Sequence, residues 1–150
     1  MINFLWAWAR IMSKTHNTKP EPKDQISEAL CKRIVDFTSR YVDIVAIYIF
    51  GSVATAKNRS GSDIDVAIMV RGQVKGMGRV QLETSLSNFL GKDVDIIIFG
   101  EATPLLQHQI LKYGCLIYER DPKERMRQEI AARREYLDTT FLYRVIEDYH

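Results

Sequence analysis

The sequence predicts an α/β fold with α+β character, in which a small sheet is flanked by helices and a long helix closes the chain. Short apolar runs of strand length alternate with segments of helical periodicity. The strand-like runs cover residues 43–50, 63–70, 93–99 and 115–118. With 150 residues, of which 46% are hydrophobic and 27% charged, the chain is long enough for one core and too short for two comfortable domains.

Helical periodicity places the flanking elements. A first helix is expected over residues 24–40, and a second follows a glycine-containing loop at 71–78 and stops at Gly91. Thr103 and Pro104 open a third helix, which ends at Gly114. The second helix carries Val80, Leu86 and Phe89, and in the third helix Leu106, Ile110 and Tyr113 are expected to face inward.

The last helix begins after Asp121, which has the character of an N-cap. Its tyrosines permit two interpretations, as edges packed on the domain's own sheet or as part of a partner surface. Its basic residues alternate with glutamates and are expected to form local charge pairs on a solvated face. Along it, apolar residues recur at steps of four and seven: Met126, Ile130, Leu137, Phe141 and Val145.

Two aspartates open the second strand-like run. Side chains of a strand alternate between its faces, so Asp63 and Asp65 point the same way while Ile64 points to the core. Two adjacent carboxylates repel each other, and a divalent cation that both ligate explains such a pair. The sequence therefore predicts a magnesium site at the start of this strand.

A glycine and a serine end the first strand, and a further acidic strand follows later. Gly51 permits close approach of the backbone, and the Ser52 hydroxyl and nearby N–H groups can hold phosphate oxygens. Asp95 lies inside the third strand, where a carboxylate is costly unless it is paired or metal-bound. Asp95 is therefore assigned as the third catalytic carboxylate, with Asp93 as the alternative.

Gly51-Ser52, followed by Asp63-Ile64-Asp65 and by Asp95 on a later strand, resembles the DNA polymerase β-type nucleotidyltransferase superfamily. The chain's small size resembles the minimal nucleotidyltransferase (MNT) branch, whose members are typically the antitoxins of HEPN/MNT toxin–antitoxin pairs. The resemblance covers roughly residues 24–145. It implies the nucleotidyltransferase fold, with a small mixed sheet.

The resemblance also implies roles for individual residues. Gly51, Ser52 and Ser62 would bind the nucleotide, and the ligands of two Mg²⁺ ions would be Asp63, Asp65 and Asp95. Family members often carry Arg-Gly soon after the Gly-Ser pair, whereas this chain has Ala54-Thr55-Ala56-Lys57. Lys57 and Arg59 are the basic residues nearest to that position.

The function that the resemblance implies is transfer of AMP from ATP to a tyrosine of a HEPN ribonuclease toxin, which neutralises the toxin. Two alternatives stay open: a small-molecule nucleotidyltransferase of the antibiotic-modifying type, and an antitoxin that acts by steric occlusion without catalysis. A third, structural interpretation takes the glycine, serine and aspartates as ordinary turn formers of an α/β domain.

Composition bounds partners and location. The net charge of +2, with scattered basic residues, argues against direct binding to nucleic acid, and no stretch has the length of a membrane span. Cys31 and Cys115 are interpreted as small apolar residues of a reducing compartment, so a cytoplasmic location is expected. Residues 1–23 are interpreted as a leader, with Met12 as an alternative start, and residues 24–150 as the minimal nucleotidyltransferase domain.

Overall fold

The computed structural model describes residues 28–51, 63–72 and 76–148, and these form a sheet covered by helices on both faces. Within these ranges the strands are β1 (Ile44–Phe50), β2 (Ile64–Val70), β3 (Val94–Ile98) and β4 (Cys115–Glu119). The helices are α1 (Glu28–Thr38), α2 (Gly76–Leu90), α3 (Pro104–Tyr113) and α4 (Pro122–Asp148), with a 3₁₀ turn at Phe99–Glu101. The small sheet flanked by helices and the long final helix are confirmed.

The sheet is mixed, with the strand order β3-β2-β1-β4. β1 runs antiparallel to both β2 and β4, whereas β2 and β3 are parallel. The end of β1 therefore meets the starts of β2 and β3 at one edge of the sheet. In that region Phe50 lies opposite Asp65, and Asp65 lies beside Asp95.

One face of the sheet packs against α1 and α2. Ile64, Val66 and Ile68 of β2 point to this side, as the alternation of the strand predicts. The helices contribute buried side chains to the same cluster, among them Ile34 and Leu86. This layer leaves the odd-numbered residues of β2 on the opposite face.

The other face packs against α3 and α4. Tyr48, Ala67 and Met69 of the sheet are buried there together with Ile110 of α3 and Ala132 of α4. Because helices cover both faces, β1 is buried on both sides, as its continuous apolar run predicts. Asp65 and Asp95 project from this second face, at the end of the sheet where β2 and β3 begin.

Two details of the helix prediction are wrong. α2 begins at Gly76, inside the segment expected to be a loop. Glycine has a low helix propensity, so the glycines of the first turn hide the helix in the sequence although they do not prevent it. Tyr113 is 56% exposed although its spacing suggested an inward position. It is the last residue of α3, where the helix leaves the sheet, and Gly114 follows as predicted.

α4 presents its apolar stripe to the outside rather than to the sheet. The five residues of the stripe are between 36% and 66% exposed, whereas Ala132, on the side of the helix that meets the sheet, is 3% exposed. A helix of 27 residues is about 40 Å long, while strands of five to seven residues span roughly 17–23 Å. The second half of α4 therefore extends beyond the sheet that the first half covers.

Polar groups hold the first half of α4 on the sheet. The Tyr48 hydroxyl donates to Glu129, and Arg125 forms ion pairs with both Glu129 and Glu119 of β4. Burial, followed by the hydrogen bond from its hydroxyl to Glu129, raises the pKa of Tyr48 far above its ordinary value. The expected local charge pairs of this helix are thus present, and some of them connect it to the sheet.

The tyrosines of α4 differ in whether they pack within the domain or are exposed, as a partner surface would be. Tyr136 stacks on His108 of α3, with ring centroids 3.9 Å apart, so it packs within the domain. Tyr143 is 65% exposed, and Tyr149 lies outside the described residues. Both cysteines are free thiols, and no helix in the described ranges is long and apolar enough to span a membrane.

Candidate active site

The candidate site begins at Gly51, the residue that follows β1. Its φ of +73° lies in the left-handed region that residues with a side chain rarely adopt. A Cβ at this position would be 2.2 Å from Oδ2 of Asp65. Glycine is therefore required for two reasons, because the backbone turns here and because an aspartate carboxylate lies against it.

Asp65 lies at the centre of the site. Its Cα is paired with Phe50 on one side and with Asp95 on the other, so the two aspartates occupy adjacent strands at the same level. Adjacent strands are about 4.8 Å apart, which brings their carboxylates within reach of one ligand. Asp65 is half-buried, while Asp63 and Asp95 are exposed, so the site opens to solvent on one side.

The electrostatics of the site follow from this arrangement. Burial raises the pKa of Asp65 above its ordinary value, and the carboxylates of Asp95 and Asp63 raise it further. The ionised form of Asp65 is therefore destabilised by its surroundings. A bound cation would offset that cost, because it attracts all three carboxylates.

Asp95 and Asp93 occupy different positions relative to Asp65. Asp95 is its direct neighbour in the register of β2 and β3. Asp93 precedes β3, is exposed, and uses its carbonyl oxygen to accept a hydrogen bond from the N–H of Ile64 at 3.0 Å. The geometry favours Asp95 as the partner of Asp65, and its catalytic role stays a prediction.

The donor set suits a hard divalent cation. Carboxylate oxygens are the protein ligands that Mg²⁺ prefers, and this ion usually takes one or two of them and completes its shell with water and phosphate oxygens. Within the described residues, no group of three or more His, Cys, Asp or Glu side chains is placed to hold a metal ion by itself. One or two of the aspartates would suffice for such an ion, whose remaining positions water and phosphate oxygens fill.

Several predicted site residues lie outside the described residues. They are Ser52 and Ser62 of the nucleotide-binding set, together with Lys57 and Arg59. Of the predicted site, the structure brings Gly51, Asp65 and Asp95 together, with Asp63 close enough to affect the pKa of Asp65.

Sequence reasoning overlooked three residues of α2 that contact the backbone of β3. Arg79, Glu83 and Ser87 form hydrogen bonds to Val94 and Ile96, the two residues that flank Asp95. The available signal was their spacing of four, which places polar side chains on one face of a helix. That spacing alone does not reveal that the face meets a strand edge.

Comparison with known proteins places this chain in a family. The family model described as "Polymerase beta, Nucleotidyltransferase" matches residues 32–123, which is more than half of the chain. Over 68 residues the chain is 31% identical to the protein adenylyltransferase MntA of Shewanella oneidensis, covering 45% of this chain and 49% of that protein. The matched region thus spans about half the length of this relative.

A second relative comes from Methanocaldococcus jannaschii and carries a provisional protein adenylyltransferase name. It is 35% identical over 63 residues, which is 42% of this chain and 68% of that protein. Both relatives therefore match this chain over less than half of its length.

Solved structures share the fold over a larger part of the chain. A toxin–antitoxin crystal structure with AMP-PNP matches with a TM-score of 0.70 and 21% identity, over 79% of this chain and 95% of that chain. A structure of tri-AMPylated Shewanella oneidensis HEPN toxin in complex with MNT antitoxin matches with a TM-score of 0.66 and 20% identity, over 81% and 95%. At these identities the likeness establishes the fold, and together with the matched family model it shows that the chain belongs to the polymerase β-type nucleotidyltransferase family.

Proposed function

We propose that this chain is a protein adenylyltransferase, which transfers AMP from ATP to a tyrosine hydroxyl of a HEPN-type toxin and thereby acts as its antitoxin. The observation that carries the proposal is the strand pairing on both sides of β2, which sets Asp65 beside Asp95 of β3 and against Gly51 after β1. The name of one relative, the protein adenylyltransferase MntA, supports a protein as the acceptor of AMP. A neighbouring fold comes from a complex with a tri-AMPylated HEPN toxin.

Each residue has a role in the proposed reaction. Gly51 and Ser52 are assigned to the triphosphate through backbone N–H groups and a hydroxyl, and Ser62 is assigned to the same nucleotide. The exposed carboxylate of Asp95 accepts the proton of the attacking hydroxyl. The hydroxyl oxygen forms a bond to the α-phosphorus, the bond from that phosphorus to the bridging oxygen breaks, and pyrophosphate leaves.

Asp63, Asp65 and Asp95 are the residues that would hold Mg²⁺, and we propose two ions, as in the family. When bound, divalent cations neutralise the charge of the phosphates and of the leaving pyrophosphate. The raised pKa of Asp65 supports this assignment, because a carboxylate that is costly to ionise gains from a cation.

The exposed half of α4 favours a protein as the acceptor. Four of its large apolar side chains are more than half exposed, and together they make a contact surface of the kind that partners bury. They are Leu137, Phe141, Leu142 and Ile146. The same surface suits an antitoxin that acts by occlusion, so catalysis and binding need separate tests.

Intact mass spectrometry tests catalysis. The chain and its HEPN partner are incubated with ATP and Mg²⁺, and a mass increase of the partner by whole adenylyl groups is expected. The increase should disappear without Mg²⁺ and in the Asp63→Asn/Asp65→Asn variant. A stable complex with no mass increase on either chain would favour occlusion, whereas transfer by the double variant would refute the metal assignment.

Substitutions on α4 test binding. Phe141→Glu is expected to weaken the complex with the toxin, measured by isothermal titration calorimetry, because it places a charge in the apolar surface. Leu105→Glu is the matched control, since Leu105 is an exposed apolar residue on α3. Equal affinities of the two variants and the unchanged chain would remove α4 from the interface.

A further inference from the structure

β3 is an edge strand, and half of its backbone groups point away from the sheet. Among the strands that the structure describes it pairs with β2 alone, and the carbonyl of Asp93 accepts a hydrogen bond from the N–H of Ile64. Because backbone groups alternate along a parallel strand, those of Asp93 and Asp95 point to β2 and those of Val94 and Ile96 point outwards. Such outward groups are normally open to water or to another strand.

Side chains of α2 occupy this open edge. The hydroxyl of Ser87 accepts a hydrogen bond from the N–H of Val94 at 3.1 Å, and Oε2 of Glu83 accepts one from the N–H of Ile96 at 2.8 Å. Arg79 donates to the carbonyl of Ile96 at 3.0 Å and forms an ion pair with Glu83 at 3.1 Å. These three side chains replace the strand that would otherwise lie beside β3.

The spacing of the three side chains along α2 matches the spacing of the outward backbone groups along β3. Arg79, Glu83 and Ser87 are separated by four residues each, which is a rise of about 6 Å along a helix. Val94 and Ile96 are two residues apart, which is about 6.6 Å along a strand. One face of α2 can therefore hold both outward positions at once without distorting either element.

The residue between the two anchored positions is Asp95. Its carboxylate lies beside that of Asp65, and the repulsion between them acts on an edge strand that one neighbour alone would hold in register. The contacts from α2 supply a second set of hydrogen bonds on the opposite side of β3. These hydrogen bonds hold Asp95 at the same position along the sheet as Asp65.

We propose that Arg79, Glu83 and Ser87 are positioning residues, which set the place of the Asp95 carboxylate for cation binding and for AMP transfer. The part that concerns transfer rests on the proposed function. The part that concerns the cation rests on the contacts of α2 with β3. Blocking the sheet edge against other strands is a separate consequence of the same contacts, and it predicts no effect on the aspartates.

Mn²⁺ titration of the full chain tests the positioning role. Paramagnetic broadening of the backbone amide signals of Gly51 and Asp95 in NMR spectra reports where the ion binds and how tightly. Glu83→Ala is expected to weaken Mn²⁺ binding about tenfold, as loss of a residue that orients a metal ligand does. Glu83→Gln is expected to stay close to the unchanged chain, because its amide oxygen still accepts from Ile96.

Hydrogen exchange and a matched control separate positioning from a general loss of stability. The Ile96 amide should exchange faster in Glu83→Ala and remain protected in Glu83→Gln. Arg71→Ala is the control, since it breaks an exposed ion pair with Asp121 at the far end of β2. It should leave Mn²⁺ binding unchanged. Ser87→Ala, a smaller change at Val94, serves if Glu83→Ala does not fold.

Each outcome decides the proposal. Equal Mn²⁺ affinity in the folded alanine variants and the unchanged chain overturns it, and so does equal weakening in Glu83→Ala and Glu83→Gln. No Mn²⁺ binding by the unchanged chain also overturns it. If Mn²⁺ binds as expected but the unchanged chain transfers no AMP, the proposed function fails while the positioning role stands.

Discussion

Gly51→Ala is expected to damage the site more than the fold. Alanine in the left-handed region costs about 1–2 kcal/mol, of which a reduced entropy of the unfolded chain returns about 0.4–1 kcal/mol. The new Cβ would also lie 2.2 Å from Oδ2 of Asp65, so this carboxylate must move by about 1 Å or more to reach an ordinary contact.

These terms give different magnitudes for stability and for activity. The backbone contributes a loss of about 1 kcal/mol, and a strained Asp65 rotamer adds about another 1 kcal/mol. For a chain of this size each kcal/mol lowers the Tm by about 2–4 °C. A displacement of about 1 Å at a reacting centre reduces the rate about 100-fold, so the proposed AMP transfer should fall by that factor.

Gly91→Ala is the matched control. Gly91 has a φ of +67°, and an added Cβ would meet no atom of the described residues within 4 Å. This variant should lose only the stability that alanine costs in the left-handed region, and it should keep both Mn²⁺ binding and the proposed AMP transfer. The assays are thermal unfolding, Mn²⁺ titration and intact mass spectrometry of the proposed HEPN-type partner.

A double-mutant cycle isolates the contact with Asp65. In an Asp65→Ala background, Gly51→Ala should cost the same free energy of unfolding as Gly91→Ala, because the carboxylate is gone. The reasoning is refuted if Gly51→Ala and Gly91→Ala lower the Tm equally and Gly51→Ala retains full Mn²⁺ affinity and transfer.

Three further predictions concern stability. Because the pKa of Asp65 is raised in the folded state, its ionisation opposes folding at pH 7 but not below its ordinary value of 3.8, where it is protonated in both states. Asp65→Asn should therefore raise the Tm at pH 7 and lose this gain as the pH falls to that value; a lower Tm at pH 7 would contradict the pKa direction. Tyr48→Phe removes the hydrogen bond to Glu129 and should lower the free energy of unfolding in urea by about 1–2 kcal/mol, whereas Tyr113→Phe, at an exposed position, should have almost no effect. Ala132→Leu should cost about 1–3 kcal/mol because it overfills the contact of α4 with the sheet, and equal stability of Ala132→Leu and the exposed Ala131→Leu would show that α4 is not packed there.

The strands were predictable because their signal is local. The run before Gly51 is apolar on both faces, and the structure covers β1 with helices on both sides. Strand alternation placed Ile64 in the core and Asp65 on the opposite face, and both positions are confirmed. The ends of α3 were equally readable, since Thr103 accepts a hydrogen bond from the Leu106 N–H and Gly114 follows the last turn.

The orientation of α4 was not predictable from its periodicity. The same spacing of apolar residues describes a stripe that faces a core and one that faces a partner. Ala132, one of the smallest side chains of the helix, marks the face that meets the sheet, and the ion pair of Arg125 with Glu119 connects the first half of the helix to β4. Only the length of α4 relative to the sheet shows that its second half extends beyond the domain's own layers.

The sequence by itself determined the candidate residues of the site, because a glycine, a serine and spaced aspartates at the ends of apolar strands supply the groups that bind phosphate and a divalent cation. What the tertiary structure decided is which of them meet. The strand order β3-β2-β1-β4 and the parallel register put Asp95 beside Asp65 and Gly51 against it. Register and edge contacts, such as those from Glu83 to Ile96, depend on residues far apart in the chain, and no local pattern contains that information.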